Sequence, residues 1–289
     1  MSRPPFLRAE TGPRLDIVKG TVLAVVALLV AAWAYLLAEE SGSVGDLFAA
    51  DTLRDGWRFV KELLGLENGA GRPAFLRAGR WGDALELAYD TVVMSVLAMG
   101  LAGIGALLTV VPAARTPVDG AEGRAARALR RLLFLVLRAM YVFSRSVPEL
   151  VWALLIIFVV TPGILAGALA LAIHNFGIVG KLAAEVVEDL DPKPTRALRA
   201  SGASGAQVLF YGVLPQVMPQ FVTYLLYRWE VVMRTTIVVG FVAASGLGRE
   251  FRLSMSFFQF TDVALILVVY FLLVVAGDAA SAWLRRLAR

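Results

Sequence analysis

Long uncharged apolar runs constrain the fold of this chain more than any other feature. Residues 21–38 and residues 91–111 contain no Asp, Glu, Lys or Arg. A helix needs about 20 consecutive apolar residues to cross the hydrocarbon core of a bilayer. Hydrophobic residues make up 58% of the 289 residues, and the mean hydropathy is +0.72. The sequence therefore predicts an all-α membrane protein rather than a soluble domain.

Six membrane-spanning helices are predicted from these runs and from the residues that break them. Their ranges are 21–38, 91–111, 132–160, 164–187, 219–242 and 263–284. Pro148 is expected to kink the third helix, because proline lacks the N–H group of a helical hydrogen bond. Residues 1–20 form a cytoplasmic N-terminal segment, and residues 21–289 form one transmembrane domain. The first run resembles a signal-peptide core too, but no small-residue cleavage site follows it before Glu39, which favours an uncleaved span.

The longest polar segment, 39–83, contains an amphipathic pattern. Leu53, Trp57, Val60 and Leu64 recur there at helical spacing. The pattern predicts a helix that lies on the membrane surface or on the protein itself. Packing against the protein as an ordinary loop helix is the favoured interpretation.

The distribution of Lys and Arg predicts the orientation of the spans. Six spans place both termini on one side, which would comprise 1–20, 112–131, 181–205 and 285–289. These segments hold 16 Lys and Arg in 70 residues. The opposite side would comprise 39–83, 161–163 and 244–262, which hold 8 in 67. Because cytoplasmic loops carry the excess of basic residues, both termini are predicted to be cytoplasmic.

A polar stretch rich in small residues, 191–219, interrupts the apolar sequence between the fourth and fifth spans. Its Asp-Pro-Lys-Pro sequence is expected to end the preceding helix. Thr195 is a candidate N-cap of a short helix that ends at Gly202, a residue suited to a left-handed turn. Ser204 is a candidate cap of a second short helix, and Leu214-Pro215 closes the stretch. The sequence predicts a compact elbow shaped to enter a groove on another protein.

The spacing within this elbow resembles the cytoplasmic loop of bacterial ABC-importer permeases. That loop has the form E-A-A, three residues, G, nine residues, I-x-L-P. The chain has Arg196-Ala197-Leu198, three residues, Gly202, nine residues, and Gly212-Val213-Leu214-Pro215. Arg196 replaces the usual Glu, and Gly212 replaces the usual Ile. Residues 145–154 (RSVPELVWAL) and 170–185 (ALAIHNFGIVGKLAAE), taken with the elbow, resemble the phosphonate-permease branch in particular.

This resemblance implies a type I (MetI-like) importer permease fold in the bacterial inner membrane. The implied partners are a second permease subunit, either another copy or a paralogue, two cytoplasmic ATPases and an extracytoplasmic solute-binding protein. ATP and Mg would be bound by the ATPase, so this chain would hold no cofactor. The implied solute is a phosphonate or a related phosphorus oxyanion, with phosphate and phosphite as alternatives. The implied ATPase-coupling residues are Arg196, Ala197, Ala200, Ser201, Gly202, Ala203, Leu214 and Pro215.

Ionisable residues inside the predicted spans are the second set of candidate functional residues. A charge at mid-bilayer costs about 2.5–3.5 kcal/mol on insertion scales, so each needs a partner or a wet cavity. Arg145 and Glu149 are four residues apart, as are Glu230 and Arg234, so each pair can meet on one helical face. All four are predicted to face the bundle interior.

Two roles remain open for these charges. The favoured one is an internal ion pair that braces two helices. The other is a translocation path, lined by Arg145, Glu149, Arg228, Glu230 and Arg234. In that role the arginines would attract an oxyanion through their planar set of donors. The isolated His174 is interpreted as a helix–helix contact, and Asp278 as an interfacial cap or a partner of Arg285.

Several function classes are excluded or disfavoured. The chain has no G-x-x-x-x-G-K-[ST], G-x-S-x-G or H-E-x-x-H motif, no cysteine and a single histidine, so an enzyme is not expected. The net charge of +5 is scattered over short loops, which argues against nucleic-acid binding. An ion-coupled secondary carrier would need an internal repeat and buried carboxylates at the midplane. A non-transporting membrane scaffold would leave the elbow unexplained.

Overall fold

The computed structural model describes residues 14–39, 49–66, 72–114, 123–243 and 245–287, and within these ranges every regular element is helical. The helices are α1 (Arg14–Glu39), α2 (Ala50–Leu63), α3 (Ala78–Ala113), α4 (Arg124–Ser146), α5 (Glu149–Ile156), α6 (Ile164–Glu188), α7 (Pro192–Ala200), α8 (Leu214–Ala243), α9 (Gly246–Ser256) and α10 (Phe260–Leu287). A short helix, Gly205–Gln207, and a π-helix, Val208–Val213, lead directly into α8.

The described helices match the six predicted spans in number. Five are long and apolar enough to cross a membrane, and the pair α4–α5 makes a sixth span if it is counted as one. Pro148 does break this pair, and the two helices meet at 94°. The bend is sharper than the predicted kink, because the chain leaves helical conformation at both Val147 and Pro148.

The core of the larger unit, residues 62–289, is built around α6. Its buried face consists mainly of Ala and Gly, which let neighbouring helices approach closely in a membrane. A Cβ atom at Gly177 would lie 2.5 Å from the carbonyl oxygen of Tyr141 on α4. One at Gly180 would press into the ring of Tyr141, whose hydroxyl is 2.7 Å from Thr109 Oγ1 on α3. Glycine at these two positions therefore permits the contact between α4 and α6.

The amphipathic helix predicted in the segment 39–83 is present as α2. None of its described residues is buried, and Leu53 and Trp57 are 63% and 61% exposed. The apolar side chains that defined the pattern therefore remain available for contact with a membrane surface or with protein. Packing as a loop helix stays a prediction.

The first helix of the elbow, α7, begins earlier than predicted. Asp191 caps α7, since its carboxylate accepts a hydrogen bond from the N–H of Lys193 at 3.0 Å, and Pro192 occupies the first helical position. Thr195 is therefore not the cap; it lies inside α7, and its hydroxyl donates to the carbonyl of Pro192. Gly202 has φ +83°, which confirms the left-handed turn. Ser204 caps the next helix in a reciprocal arrangement with Gln207, as predicted.

The second half of the elbow is not a separate short helix. The chain stays helical from Gly205 to Ala243, through Leu214-Pro215 and Pro219, so the predicted closure at Leu214-Pro215 and the start of the fifth span at 219 are wrong. A π-helix makes this possible, because Leu214 N–H donates to the carbonyl of Leu209, five residues back. The wider turn accommodates the ring of Pro215, which clashes with a carbonyl in a regular α-helix.

Candidate functional site

The tip of the elbow is exposed and carries little side-chain bulk. No residue of α7 is buried, and Ala200, Ser201 and Gly202 are all exposed. No described atom lies within 4 Å of the position that a Cβ would occupy at Gly202. The backbone of the left-handed turn can therefore approach a partner surface closely, which suits a protein-docking element.

The departure of Gly212 from the resembled pattern has a structural reason. A Cβ atom at Gly212 would lie 2.9 Å from Leu198 Cδ1 and 3.3 Å from Thr195 Cγ2. The absence of a side chain lets α7 pack directly on the π-helix. The turn is further fixed by the hydrogen bond from Ala203 N–H to the carbonyl of Leu198 at 3.0 Å. The elbow is thus joined rigidly to the start of α8.

The other departure, Arg196, adds a charge to the elbow. Arg196 is exposed on α7, as is Lys193 one turn before it. The helix contains no Asp or Glu, and its N-cap is Asp191. The elbow therefore presents a positively charged helix to its surroundings.

The predicted ion pair between Arg145 and Glu149 is not formed. The break at Val147-Pro148 separates the two residues, so the four-residue spacing no longer places them on one face. Glu149 Oε2 lies 3.2 Å from His174 Nε2 instead, and His174 Nδ1 lies 2.9 Å from the carbonyl of Val147. His174 is therefore a helix–helix contact, as predicted. Arg145 is exposed on the subunit, and its position facing the bundle interior stays a prediction.

The predicted pair Glu230–Arg234 is confirmed and belongs to a larger network. Arg234 Nη2 lies 2.9 Å from Glu230 Oε1 and 3.0 Å from Asp278 Oδ2 on α10. Arg285 Nη1 lies 3.3 Å from Glu230 Oε2. Asp278 thus pairs with Arg234 rather than with Arg285 or as a cap. Two cations and two anions balance, while 46% of the Arg234 side chain stays exposed.

Arg228 is hydrogen-bonded to Asn175, which was not among the residues predicted from the sequence. Its Nη2 and Nε atoms donate to Asn175 Oδ1 at 2.6 and 3.1 Å. Asn175 is 1% exposed, and its Nδ2 donates to the carbonyl of Leu171. Asn175 was missed because an amide inside a span carries no charge. The one available signal was its position next to His174.

Another pair, Arg80 and Asp262, joins the start of α3 to the start of α10 and was also missed. Arg80 Nε donates to Asp262 Oδ1 at 2.8 Å, and the Asp262 side chain is 11% exposed. Both residues line a cavity of about 500 Å³ together with Arg77, Gln259 and Thr261. No spacing rule links residues so far apart in sequence. Within the described ranges, no group of three or more His, Cys, Asp or Glu side chains is arranged to hold a metal ion.

Six helical spans, with an exposed elbow between the fourth and the fifth, define a multi-pass membrane protein. The family described as "Binding-protein-dependent transport system inner membrane component" matches residues 123–289, more than half of the chain. The chain therefore belongs to this family. It is the membrane-spanning permease subunit of an ABC importer in the inner membrane, a transport subunit and not an enzyme. Such a subunit works with separate ATPase subunits and a second permease.

The curated relatives are named for the transport of phosphite, phosphate or phosphonate. The phosphite transport system permease protein PtxC of Stutzerimonas stutzeri is 37% identical over 240 residues, which cover 83% of this chain and 82% of that protein. The phosphate-import permease protein PhnE of Mycolicibacterium smegmatis is 35% identical over 162 residues, 56% of this chain and 29% of that protein. A protein of Escherichia coli described as a cryptic phosphonate transport system permease, PhnE2, is 41% identical over 118 residues, 41% of this chain and 97% of that protein.

Solved structures agree with the fold. A structure of the MetNI methionine ABC transporter in an inward-facing conformation has a TM-score of 0.57 at 18% identity, covering 71% of this chain and 96% of that one. A crystal structure of an amino acid ABC transporter with histidines has a TM-score of 0.54 at 20% identity, covering 68% and 89%. At these identities the likeness concerns the fold alone.

Proposed function

We propose that this permease imports phosphorus oxyanions of the phosphite and phosphonate class. The observation that carries the proposal is the 37% identity to a phosphite permease over 82% of that protein's length. The arginines Arg228 and Arg234 inside the spans suit such a solute, because a guanidinium offers several donors in the geometry of an oxyanion. Phosphate is the second candidate solute, favoured by the relative named for phosphate import.

The partners in this proposal are a second permease subunit, two ATPases and a solute-binding protein. The ATPases bind on the elbow side of the lipid membrane, and the solute-binding protein binds on the opposite side. The elbow docks in a groove of the ATPase through Arg196, Gly202 and their neighbours. When the ATPases close on ATP, each elbow moves with its ATPase as a lever. Because the chain is helical without a break from Gly205 to Ala243, this movement is transmitted along α8 through the membrane.

The intramembrane charges line the translocation path in this proposal. Arg145, Glu149, Arg228, Glu230 and Arg234 are its candidate residues. Arg228 and Arg234 have different surroundings, since one is bound to a neutral amide and the other to two carboxylates. The path binds the solute weakly, because a tight site would prevent release. The near balance of charge around Arg234 serves that requirement.

The test is a direct measurement of solute binding by the solute-binding protein that is encoded with the chain. Calorimetric titrations with phosphite, methylphosphonate and phosphate should each be compared with sulfate at the same ionic strength. The proposal predicts the tightest binding for phosphite or a phosphonate. Preference for phosphate would select the second candidate. Binding of none of the three would overturn the solute assignment.

A further inference from the structure

A line of polar residues runs along α8, and within the described part of the chain only its last two members, Glu230 and Arg234, pair with the neighbouring helix α10. The residues are Gln216, Gln220, Thr223, Tyr227, Glu230 and Arg234, which we call the polar stripe. Their spacing alternates between four and three residues, so they follow one face of a helix with 3.6 residues per turn. From the first to the last residue the stripe extends about 27 Å at 1.5 Å per residue. That length is close to the thickness of the hydrocarbon core, about 30 Å.

Three members of the polar stripe are exposed on the subunit, and the other three are half-buried. Tyr227 is 56% exposed, Gln220 is exposed, and the side chain of Arg234 is 46% exposed. The opposite face of α8 is apolar and buried, including Val217, Phe221 and Val232. Polar and charged groups do not face lipid at mid-depth, because the hydrocarbon cannot satisfy them. The polar stripe must therefore face water or another polar surface.

The elbow end of the polar stripe opens into a cavity. The cavity has a volume of about 570 Å³ and lies between the end of α6 and the start of α8. Gln216 and Gln220 line it on one side, and Asp189 and Asp191 line it on the other. Amide groups on one wall and carboxylates on the other make the cavity suitable for water.

Beyond the other end of the polar stripe, the same face of α8 becomes apolar. The same spacing continued beyond Arg234 reaches Ile237, which is 9% exposed, and then Phe241. The ring of Phe241 stacks on that of Phe251 of α9, with ring centroids 5.4 Å apart and planes 9° apart. Polar side chains therefore end at the point where an aromatic contact joins α8 to α9.

An exposed face of α3 is apolar, in contrast to the polar stripe of α8. On α3, Leu97, Leu101, Ile104 and Leu108 follow the same alternating spacing and are 45%, 45%, 61% and 75% exposed. This face is apolar along its length, as expected for contact with lipid. Two helical faces of the same subunit thus share their spacing but differ in chemistry.

We propose that the polar stripe lines an aqueous half-path for the solute anion, open at the elbow end and closed beyond Arg234 by Ile237, Phe241 and Phe251. The identity of the anion rests on the proposed function, whereas the aqueous lining does not. Glu230 and Arg234 are the last polar contacts before the closure. The stripe thereby adds Gln216, Gln220, Thr223 and Tyr227 to the positioning residues for transport.

Single-cysteine labelling tests this proposal, because the chain has no cysteine of its own. The assembled transporter with its ATPase would carry Q220C, T223C or Y227C, with L101C, I104C and L108C as matched controls. A membrane-impermeant charged thiol reagent is applied from the elbow side without nucleotide. Rates at the stripe should exceed rates at the controls by at least about tenfold, because a thiol in hydrocarbon is not ionised. ATPase retention by each variant confirms assembly.

Two results would overturn the proposal. One is an equal labelling rate at stripe and control positions. The other is a stripe that does not react with the reagent but forms direct disulfides between two permease subunits, which would identify a dry subunit interface. Protection of Y227C by phosphite and the loaded binding protein tests the solute separately. If the stripe is labelled but phosphite gives no protection, the lining stands and the solute assignment fails.

Discussion

Arg228 and Asn175 form a buried contact in which a charged guanidinium depends on a neutral amide. Removing one partner of a buried hydrogen bond leaves the other unsatisfied, whereas removing both avoids that penalty. We expect Asn175→Leu to lower the stability of the assembled transporter by about 1–3 kcal/mol. The double variant Asn175→Leu/Arg228→Leu should lose less than the sum of the two single variants. Thermal inactivation of the purified complex measures both.

The comparison of the single variants with the double variant can also contradict this interpretation of the Arg228–Asn175 contact. Losses that simply add would show that the two side chains act independently, which the distances of 2.6 and 3.1 Å contradict. Ser95 supplies the comparison, because it accepts a hydrogen bond from Trp229 Nε1 at 3.1 Å, between α3 and α8. The variant Ser95→Ala should be additive with Asn175→Leu, since the two residues share no hydrogen bond.

Arg234 is one of two cations that balance Glu230 and Asp278, so its removal gives a neutral cluster a net negative charge. Arg234→Leu leaves Glu230 and Asp278 against the single cation Arg285, and an anionic solute would then be repelled. We expect uptake to fall about tenfold, equivalent to about 1.4 kcal/mol, while the ATPase remains bound. Lys181→Leu is the control, since Lys181 forms another four-residue pair, with Glu185 at 3.1 Å, on α6. Unchanged uptake by the Arg234 variant would remove it from the path.

At the residue scale, local spacing predicted contacts wherever the helix is continuous. Glu230–Arg234 forms as expected, and Lys181–Glu185, which has the same spacing, forms too. Arg145–Glu149 fails because the backbone changes direction between the two residues. Contacts between distant helices, such as Arg228 with Asn175, could not be predicted from one sequence, because no periodicity links them.

At the scale of single elements, the elbow is the part of the chain most sensitive to one substitution. Gly202 has φ +83°, where a side chain costs about 1–2 kcal/mol, and its Cβ position is open towards the exterior. Gly202→Asp adds this strain and a charge that a docking surface would have to desolvate. The variant should insert into the membrane but lose its ATPase on purification and fail to transport.

Gly202→Asn separates the two causes, because asparagine tolerates the left-handed conformation better than other side chains. If close approach matters, Gly202→Asn should also lose the ATPase although its turn is retained. Wild-type stoichiometry and normal transport for Gly202→Asp would show that the elbow is not the docking element.

The elements of the elbow illustrate what patterns can and cannot predict. Gly202 and Ser204 were predicted because a left-handed turn and a cap each need particular residue types. The start of α7 was placed too late, since Pro192 and Pro194 were interpreted as breakers although proline is well tolerated in the first turn of a helix. The continuity of α8 was missed because a π-helix that accommodates Pro215 has no sequence signal of this kind.

At the scale of the whole molecule, orientation follows from the twofold excess of Lys and Arg on one side. The elbow and the end of α10 are predicted to be cytoplasmic. A reporter that is active only outside the cytoplasm, fused after Arg289, should give no signal. The same reporter fused between α5 and α6, at Gly163, should give a strong one. The reverse pattern would place the elbow where no ATPase can reach it.

The central claim is that this subunit couples a separate ATPase to the import of a phosphorus oxyanion. Reconstitution of the permease with its ATPase in proteoliposomes, with radiolabelled phosphite and the solute-binding protein, measures it most directly. Uptake should require ATP and the binding protein together and should be lost with Gly202→Asp. Uptake that proceeds without the ATPase on an ion gradient alone would contradict the account and identify a secondary carrier.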